Sequence, residues 1–333
     1  MSALRAALQR PGALVAARWA LGIGALGLVV VGLNGGETVA RIASADGALV
    51  VAGVLGLTAV HALGAAAWSI LCRQLGELRM DWATGLRVYY AAQALGGITP
   101  ANVGGDAYRI VAVRSTGLGW GAAVAPVVVQ RASSYLALTL LALPALAWLT
   151  ASSRLPTPIL AGGIVLCGLA AGLAIALLVA PIRLAELGAR LPRNRAQRNA
   201  AVPHDPARFA RPPIASVALA TGLGLAFHLV SVLLTALLVA AVDPSATGLS
   251  VLAAITVARL SIAVPVLPSG LGANEAVLAV IFAGLALSPQ TALAALLLGR
   301  VALVMTTVLG TGLLLFGRPT IRRGDARSVA SAP

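Results

Sequence analysis

The chain contains no lysine, and charged residues of either sign are scarce. All 24 basic residues are arginine, and charged residues make up only 10% of the sequence. Because soluble domains are about one-quarter charged, this composition excludes an ordinary soluble protein. The arginines behind the formal net charge of +14 cluster beside apolar runs, which is typical of membrane proteins that face anionic lipid headgroups. We therefore expect these arginines to face a membrane and not a nucleic acid.

Groups suited to catalysis or metal binding are also few. The two cysteines, Cys72 and Cys167, lie in apolar runs without the spacing of a metal or redox site. The three histidines, His61, His204 and His228, are scattered, and we expect each to be a packed or loop residue. The sequence has no nucleotide-binding glycine loop, no HExxH motif and no Ser-His-Asp spacing. It therefore predicts no metal and no cofactor, and it gives little support to an enzymatic activity.

Long apolar runs dominate the chain, which is 59% hydrophobic with a mean hydropathy of +0.94. A helix needs about 20 mainly apolar residues to cross a bilayer. The pattern predicts an all-α polytopic membrane protein, a single transmembrane domain over residues 1–333 with about six full spans. The spans are predicted at residues 19–33, 47–72, 121–150, 158–181, 214–242 and 290–316. The first run is short and precedes Ala43-Ser44-Ala45, so a cleaved signal peptide is the alternative to a first span.

The distribution of arginine predicts the orientation of the chain. Seven arginines lie in residues 182–213 and four in residues 318–333. Cytoplasmic segments carry an excess of basic residues, so we expect a cytoplasmic Arg-rich loop and a cytoplasmic tail. Residues 34–46 contain two acidic residues and one arginine, and we expect them to form an external loop. The N- and C-termini are then both cytoplasmic.

Two apolar regions are broken by proline and glycine, one in each half of the chain (residues 1–150 and 214–317). The first region, 88–113, has 26 residues, whereas two crossings need about 40. The basic loops at residues 73–87 and 182–213 are both expected to be cytoplasmic, so the number of crossings between them must be even. The spans at 121–150 and 158–181 already satisfy this, so the region must return to the side it entered from. We expect a re-entrant-like hairpin of two half-helices that enters from the cytoplasm. The second region, 247–287, is predicted to be a similar broken hairpin that enters from outside, with two complete spans as the alternative.

The two breaks resemble each other in detail. Backbone that leaves the helix at membrane depth must be buried in protein or line a wet cavity, so the break residues are candidate site residues. They are Pro100, Asn102, Gly104 and Gly105 in the first half, and Pro268, Ser269, Gly270 and Gly272 in the second. A carboxylate follows each break, and an arginine follows each carboxylate at the same distance, 131 − 106 = 25 and 300 − 275 = 25 residues. Similar hairpins entered from opposite sides predict an inverted-topology repeat with a central site.

Ionisable residues at membrane depth are costly and are functional candidates by default. The candidates at this depth are Asp106, Arg109, Arg131, Arg259, Glu275 and Arg300. We add Asn274, whose side-chain amide directly precedes Glu275. One interpretation is structural: the arginines and carboxylates pair and hold the hairpins together. The other is functional, because three deep arginines outnumber two deep carboxylates. Together with the N-terminal amides of the restarted helices, the surplus would bind the phosphate of a lipid headgroup. From the residues alone both interpretations stay open.

These motifs resemble the lysylphosphatidylglycerol synthase transmembrane family, also called the flippase-like domain family. The resemblance covers nearly the whole chain. It rests on Gly97-x-x-Pro100-x-x-x-Gly104-Gly105-Asp106-x-x-Arg109, on Gln130-Arg131, on Pro268-Ser269-Gly270-Leu271-Gly272-Ala273-Asn274-Glu275-Ala276, and on Ala294-Ala295-Leu296-Leu297-Leu298-Gly299-Arg300. The family motif often has an arginine before its second acidic residue, where this chain has Asn274.

The resemblance implies a polytopic protein of the bacterial inner membrane. In the best-known members this domain is linked to moving an aminoacylated phospholipid between leaflets. Those members also carry a C-terminal aminoacyl transferase domain, which we do not expect here because the chain ends about 17 residues after its last predicted span. The synthase activity in the family name is therefore not expected of this chain.

Three functions are compatible with the sequence. The first is a stand-alone lipid translocase that moves an anionic or aminoacylated phospholipid, or a lipid-linked phosphate, between leaflets. The second is a membrane scaffold for a separate lipid-modifying enzyme that docks on the Arg-rich loop. The third is an intramembrane enzyme that acts on a lipid-linked substrate. The translocase is the leading hypothesis because it uses the surplus of deep arginines.

Overall fold

The apolar runs fold into helices that expose large apolar side chains, as expected for segments surrounded by lipid. The computed structural model of the protein describes residues 11–76, 78–97, 99, 102–118, 120–152, 155–190, 212–263, 270–316 and 322–323. Leu28, Val31 and Ile214 are among the many large apolar residues on the outer surface. This surface is what the low charge content of the sequence predicts.

The described part contains twelve α-helices, one 3-10 helix and two short strands. In chain order they are α1 (Pro11–Gly32), α2 (Gly35–Ala43), α3 (Gly47–Ala59), α4 (His61–Gly76), β1 (Leu78–Arg79), α5 (Trp82–Gly97), α6 (Val103–Arg114), α7 (Trp120–Ser152), α8 (Thr157–Arg190), α9 (Ile214–Val242), α10 (Leu249–Arg259), the 3-10 helix Leu260–Ala263, α11 (Ala273–Gly284), α12 (Pro289–Phe316) and β2 (Arg322–Arg323).

Five helical segments of the described chain are long and apolar enough to cross a membrane. They are Gly47–Leu75, which joins α3 and α4, Trp120–Ser152, Thr157–Val179, Ile214–Val242 and Pro289–Phe316. They coincide with five of the six predicted spans. The bent pair α1 and α2 makes a sixth candidate. The chain is therefore a multi-pass membrane protein.

The prediction of a loop over residues 34–46 is wrong for most of that segment. Residues Gly35–Ala43 form α2, which lies at 87° to the preceding helix. The bend occurs at Asn34, whose left-handed backbone (φ 56°) ends α1. Helix α2 has polar residues on one side and apolar residues on the other, with Val39 exposed and Thr38 buried. The prediction failed because the segment is too short and too polar to be recognised as a membrane span, and it was therefore assigned to a loop.

The Arg-rich loop predicted over residues 182–213 begins later than expected. Helix α8 continues through Pro181 to Arg190. A proline inside a helix removes one backbone hydrogen bond, but the residues that follow it here are good helix formers, and the helix resumes. The remainder of the predicted loop, residues 191–211, lies outside the described residues.

Both broken regions form pairs of short helices. Helices α5 and α6 flank the first break and pack against each other, and α10 and α11 do the same around the second. Helices α10 and α11 have 11 and 12 residues. At about 1.5 Å per residue, each reaches less than 20 Å, well short of the roughly 30 Å hydrocarbon core. Their lengths favour a broken hairpin over two complete spans for residues 247–287.

Each hairpin packs against a long helix from the other half of the chain. Helix α5 of the first hairpin packs against α12, and α10 of the second packs against α7. Strand β1 pairs with β2 in an antiparallel ladder, Leu78 with Arg323 and Arg79 with Arg322. This ladder is the only departure from all-α structure in the described residues. It also brings the segment after α4 next to Arg322 and Arg323 of the predicted tail.

A close approach between α5 and α6 depends on glycine. A Cβ atom at Gly105 would lie 2.4 Å from the backbone oxygen of Ala92, so the backbones themselves would have to move apart. We expect Gly105→Ala to lower the stability by about 1–3 kcal/mol, seen as a lower thermal midpoint in detergent. Gly168→Ala on α8 is the matched control, since a Cβ atom there meets nothing within 4 Å. Equal midpoints for the two variants would contradict this contact.

A polar cluster ties α2 to the ends of α9 and α12. Arg41 donates to Glu37 at 3.0 Å and to the Thr291 hydroxyl at 3.0 Å, and it lies 3.8 Å from an Asp243 carboxylate oxygen. Hydrogen bonds from Ser245 hold the pKa of Asp243 below its ordinary value. The Arg41–Asp243 attraction should therefore persist until the pH falls through that lowered pKa.

The partly exposed position of this cluster limits its contribution to stability. We expect Asp243→Asn to lower the free energy of unfolding by less than about 1 kcal/mol at neutral pH. High salt should reduce the difference further. Urea unfolding in detergent at low and high salt would measure it. A loss of several kcal/mol would mean that the cluster contributes much more to the stability of the fold than an exposed ion pair does.

Candidate functional site

A cavity of about 400 Å³ lies among the central helices of the bundle. Residues from both breaks line it: Gly96, Gly97 and Asn102 around the first, and Gly270 and Asn274 around the second. The volume is within the roughly 300–1,000 Å³ typical of small-molecule sites. The two broken regions that the sequence singled out therefore converge on one space.

All three deep arginines line this cavity. Arg131 comes from α7, Arg259 from the end of α10 and Arg300 from α12. Neither Asp106 nor Glu275 is among its lining residues. No acidic residue lines the cavity in the part of the chain that the structure describes. The charged residues that line it are therefore all arginines.

The first carboxylate, Asp106, lies between two arginines. Its Oδ1 accepts a hydrogen bond from Arg109, and its Oδ2 accepts one from the Nε of Arg131. Arg109 donates a second bond to the Gln130 side chain, whose amide in turn donates to the Gly64 carbonyl at 2.7 Å. Both oxygens of Asp106 are thus used to orient arginines from α6 and α7.

The second carboxylate, Glu275, is fully buried in the first turn of α11. Its Oε1 accepts a hydrogen bond from the Nε of Arg300 at 2.7 Å, and the same oxygen lies 2.5 Å from Nη2 in an ion pair. Its Oε2 accepts from the backbone N–H of Gly272 at 2.9 Å, which satisfies a donor at the start of the helix. The equal spacing of 25 residues in the two halves therefore corresponds to an arginine–carboxylate pair in each half.

Arg259 differs from the other two arginines because it makes no ion pair with any residue that the structure describes. Its Nε is buried without a hydrogen-bond partner. Buried arginines are normally paired, because an isolated charge loses its hydration without compensation. Arg259 is the group in the cavity that most needs an anion.

The two breaks are held in shape by polar contacts and left-handed backbone. Asn102 has φ 59°, and the Thr99 hydroxyl accepts from the Gly104 N–H at 2.8 Å. Gly270 and Gly272 have φ 66° and 82°, a conformation in which only glycine is unstrained. The predicted site residues Pro100, Pro268 and Ser269 lie outside the described residues.

Arg109 does not reach the central cavity. It is buried and its guanidinium lies 5.2 Å from the ring centre of Tyr89 and 6.0 Å from that of Trp68. It lines a smaller adjoining cavity of about 150 Å³, which shares Asn102 and Arg131 with the central one. Arg109 thus helps to orient Arg131, because both arginines bond to Asp106. Gly104 and Gly105 allow the close packing of α6 against α5.

The sequence analysis missed two histidines and a glutamine. It treated His61 and His228 as packed or loop residues, yet both line the cavity. His61 Nδ1 lies 2.8 Å from the Gln93 side-chain nitrogen, and His228 Nε2 lies 3.0 Å from the Ser134 hydroxyl. The ring of Phe227 lies between the two imidazoles. The available signal was a polar side chain inside an apolar span, which applies to all three.

The sequence of the chain also matches a known family. The sequence pattern of the lysylphosphatidylglycerol synthase transmembrane region matches residues 15–310. The chain belongs to this family. The matched residues include both broken hairpins, the three lining arginines and both carboxylates, so the lysylphosphatidylglycerol synthase transmembrane region contains the whole candidate site. None of the curated proteins compared with the chain matches it.

Proposed function

We propose that the chain is a lipid translocase that moves a lipid with an anionic headgroup between the leaflets of a bacterial inner membrane, with both termini in the cytoplasm. The observation that carries the proposal is the convergence of Arg131, Arg259 and Arg300 on a cavity without an acidic lining residue among those described. The proposal assigns the chain no enzymatic activity.

The balance of charge favours an anionic ligand. Asp106 and Glu275 face Arg131 and Arg300 from behind the cavity wall, and Arg259 has no ion-pair partner among the described residues. A phosphate that entered the cavity would accept charge-assisted hydrogen bonds from guanidinium groups that are already oriented. It would also offset the cost of burying Arg259.

An apolar groove along the second hairpin suits the chains of a lipid. The groove, of about 360 Å³, lies between α8 and the second hairpin and is lined by apolar residues and glycines. Val257 of α10 lines the groove, whereas Arg259 of the same helix lines the cavity. One hairpin thus presents a charged side to a headgroup and an apolar side to hydrocarbon, which is the division an amphiphilic substrate requires.

The arrangement of the hairpins supports a transport mechanism. We propose that they form an inverted-topology repeat, the first entering from the cytoplasm and the second from outside, as in many secondary transporters. Rocking of one half against the other would expose the central arginines to each leaflet in turn. The sequence has no nucleotide-binding motif, so we propose that movement is facilitated or driven by an ion gradient.

Leaflet exchange in proteoliposomes tests the proposal. The purified protein is reconstituted with fluorescent phosphatidylglycerol, and dithionite quenching reports the movement of lipid from the inner leaflet. We expect faster exchange than in empty vesicles, and a loss of at least about tenfold in Arg131→Ala, since one charge-assisted bond contributes about 1.5–3 kcal/mol.

The exposed Arg87 of α5 provides a matched control. Arg87→Ala removes the same charge away from the cavity and should leave exchange unchanged. If the native protein accelerates no anionic lipid, the translocase proposal is wrong. If Arg87→Ala slows exchange as much as Arg131→Ala does, the central cavity is not the site.

A further inference from the structure

We propose that His61 is a proton-binding site of the central cavity, and that it takes up a proton when the phosphate of a lipid headgroup binds there. This inference rests on the proposed function and deepens it, because it names the proton as the ion coupled to lipid movement. It gives a role to a histidine that phosphate binding by the arginines leaves unused.

His61 is accessible to a proton from the cavity. It begins α4 inside the spanning segment Gly47–Leu75, it lines the cavity, and it is only partly buried. The cavity volume of about 400 Å³ is enough for several water molecules, since each occupies about 30 Å³ in the liquid. A proton can therefore reach the imidazole through the cavity.

The hydrogen bonds of Gln93 define the form of this imidazole. Asn102 Nδ2 donates to Gln93 Oε1 at 3.4 Å, and Gln93 Nε2 lies 2.8 Å from His61 Nδ1. Because the oxygen of Gln93 is turned towards Asn102, its nitrogen donates to His61, and Nδ1 is the acceptor. Only a neutral imidazole has an acceptor nitrogen. His61 is therefore neutral in this arrangement and carries its hydrogen on Nε2.

Protonation of His61 would act on the first break. Both nitrogens of an imidazolium are donors, so Nδ1 would meet the Gln93 nitrogen donor against donor. The Gln93 amide would have to turn over, and its nitrogen would then face the nitrogen of Asn102. Asn102 has the left-handed backbone (φ 59°) that forms the first break. A proton on His61 is thus felt at the break through a single side chain.

The charges that face His61 decide when it takes up a proton. Helix α4 packs against α5, α7 and α9, and α10 and α12 reach the same cavity. Helix α3 has no titratable residue, and β1 follows the opposite end of α4. The titratable side chains around His61 on these helices are Tyr89, Tyr90, Arg131, Tyr135, His228, Arg259 and Arg300. Three arginines repel a further positive charge, and a bound phosphate would remove that repulsion.

His228 is the less suitable of the two histidines. Its Nε2 lies 3.0 Å from the Ser134 hydroxyl, and the residue is only 8% exposed. A hydroxyl group can both donate and accept, so a proton on His228 would require no rearrangement of Ser134. This contrast assigns the coupled proton to His61.

The coupling gives the sign of the pH dependence. If the phosphate favours the protonation of His61, the proton favours phosphate binding by the same factor. One proton taken up with each phosphate changes the affinity by up to about tenfold per pH unit. Phosphate binding, and with it lipid exchange, should therefore increase as the pH falls.

Leaflet exchange at several pH values tests the proposal. The protein is reconstituted with fluorescent phosphatidylglycerol, and albumin extracts the labelled lipid from the outer leaflet, in place of dithionite, which decomposes in acid. We expect the rate of the native protein to rise at least about tenfold from roughly pH 8 to pH 6. His61→Gln cannot take up a proton and should exchange lipid at a rate that does not depend on pH. His204→Gln, in the part of the predicted Arg-rich loop outside the described residues, is the control and should keep the native pH dependence.

Proton uptake is measured separately on the protein in detergent. Glycerophosphoglycerol, a soluble phosphodiester that does not itself titrate near neutral pH, is added in weak buffer with a pH indicator. We expect the native protein to take up protons and His61→Gln to take up none. The native measurement tests the proposal even if the variant does not fold.

The two measurements separate the possible failures. Lipid exchange that is independent of pH in the native protein, without proton uptake, would overturn the proton site and leave the translocase intact. The native pH dependence in His61→Gln, at any overall rate, would overturn the assignment to His61. No lipid exchange at any pH would overturn the translocase. Proton uptake with glycerophosphoglycerol would in that case show that the ligand is a soluble phosphate and would overturn the lipid assignment.

Discussion

Replacing Arg259 with glutamine is expected to reduce lipid exchange by about ten- to a hundredfold, because one charge-assisted hydrogen bond contributes about 1.5–3 kcal/mol. The same substitution should leave the thermal midpoint unchanged or raise it. Arg259 Nε is buried without a partner, and removing an uncompensated buried charge removes a cost of folding. Activity and stability should therefore move in opposite directions. Leaflet exchange and thermal unfolding in detergent, measured on the same preparation, would check both.

The opposite signs distinguish a binding residue from a structural one. Arg87→Gln, which neutralises an exposed arginine of α5, is the control and should change neither quantity. A fall in the thermal midpoint of Arg259→Gln would mean that the guanidinium stabilises the empty protein. Full exchange activity would mean that the anion is held by Arg131 and Arg300 alone.

Much of the membrane architecture could be predicted because it depends on composition. A run of apolar residues long enough to cross the bilayer must form a helix, since no other structure satisfies its backbone there. For that reason the prediction of a span at residues 214–242 coincides with α9, and four of the other five predicted spans agree with spanning helices within a few residues. The helix α2 and the extension of α8 were missed because neither depends on crossing the membrane.

The pairing of charges was one of two interpretations that the sequence left open. Each carboxylate lies 25 residues before an arginine, and each pair is made. The pairs form because a short helix and a long helix joined by a brief turn lie side by side. A charge near the start of the first then meets a charge in the middle of the second.

The composition of the cavity could not be predicted in the same way. His61, Gln93 and His228 come from α4, α5 and α9, and no spacing in the sequence relates three helices that meet only through tertiary packing. The sequence also could not separate the arginines that line the cavity from Arg109, which is enclosed by Tyr89 and Trp68. That distinction depends on which face of each helix is turned inward.

Glu275→Gln is expected to destabilise the protein by about 3–5 kcal/mol, the usual cost of breaking a buried ion pair. Glu275 is completely buried and pairs with Arg300, so its loss leaves a guanidinium without its charge partner. The new amide can still accept from the Gly272 N–H, and the effect therefore isolates the charge. Thermal and urea unfolding in detergent would measure it. Glu37→Gln, at the partly exposed pair with Arg41, is the control and should cost less than about 1 kcal/mol.

A double substitution decides whether the penalty comes from the stranded charge. If it does, Glu275→Gln combined with Arg300→Met should recover part of the stability, because neither charge is then buried alone. Lipid exchange should stay low in the double variant, since Arg300 lines the cavity. If the double variant instead loses as much stability as the two single variants together, each side chain contributes through separate packing contacts. The second hairpin would then be fixed by shape, and the arginine–carboxylate pair would be free to respond to a headgroup.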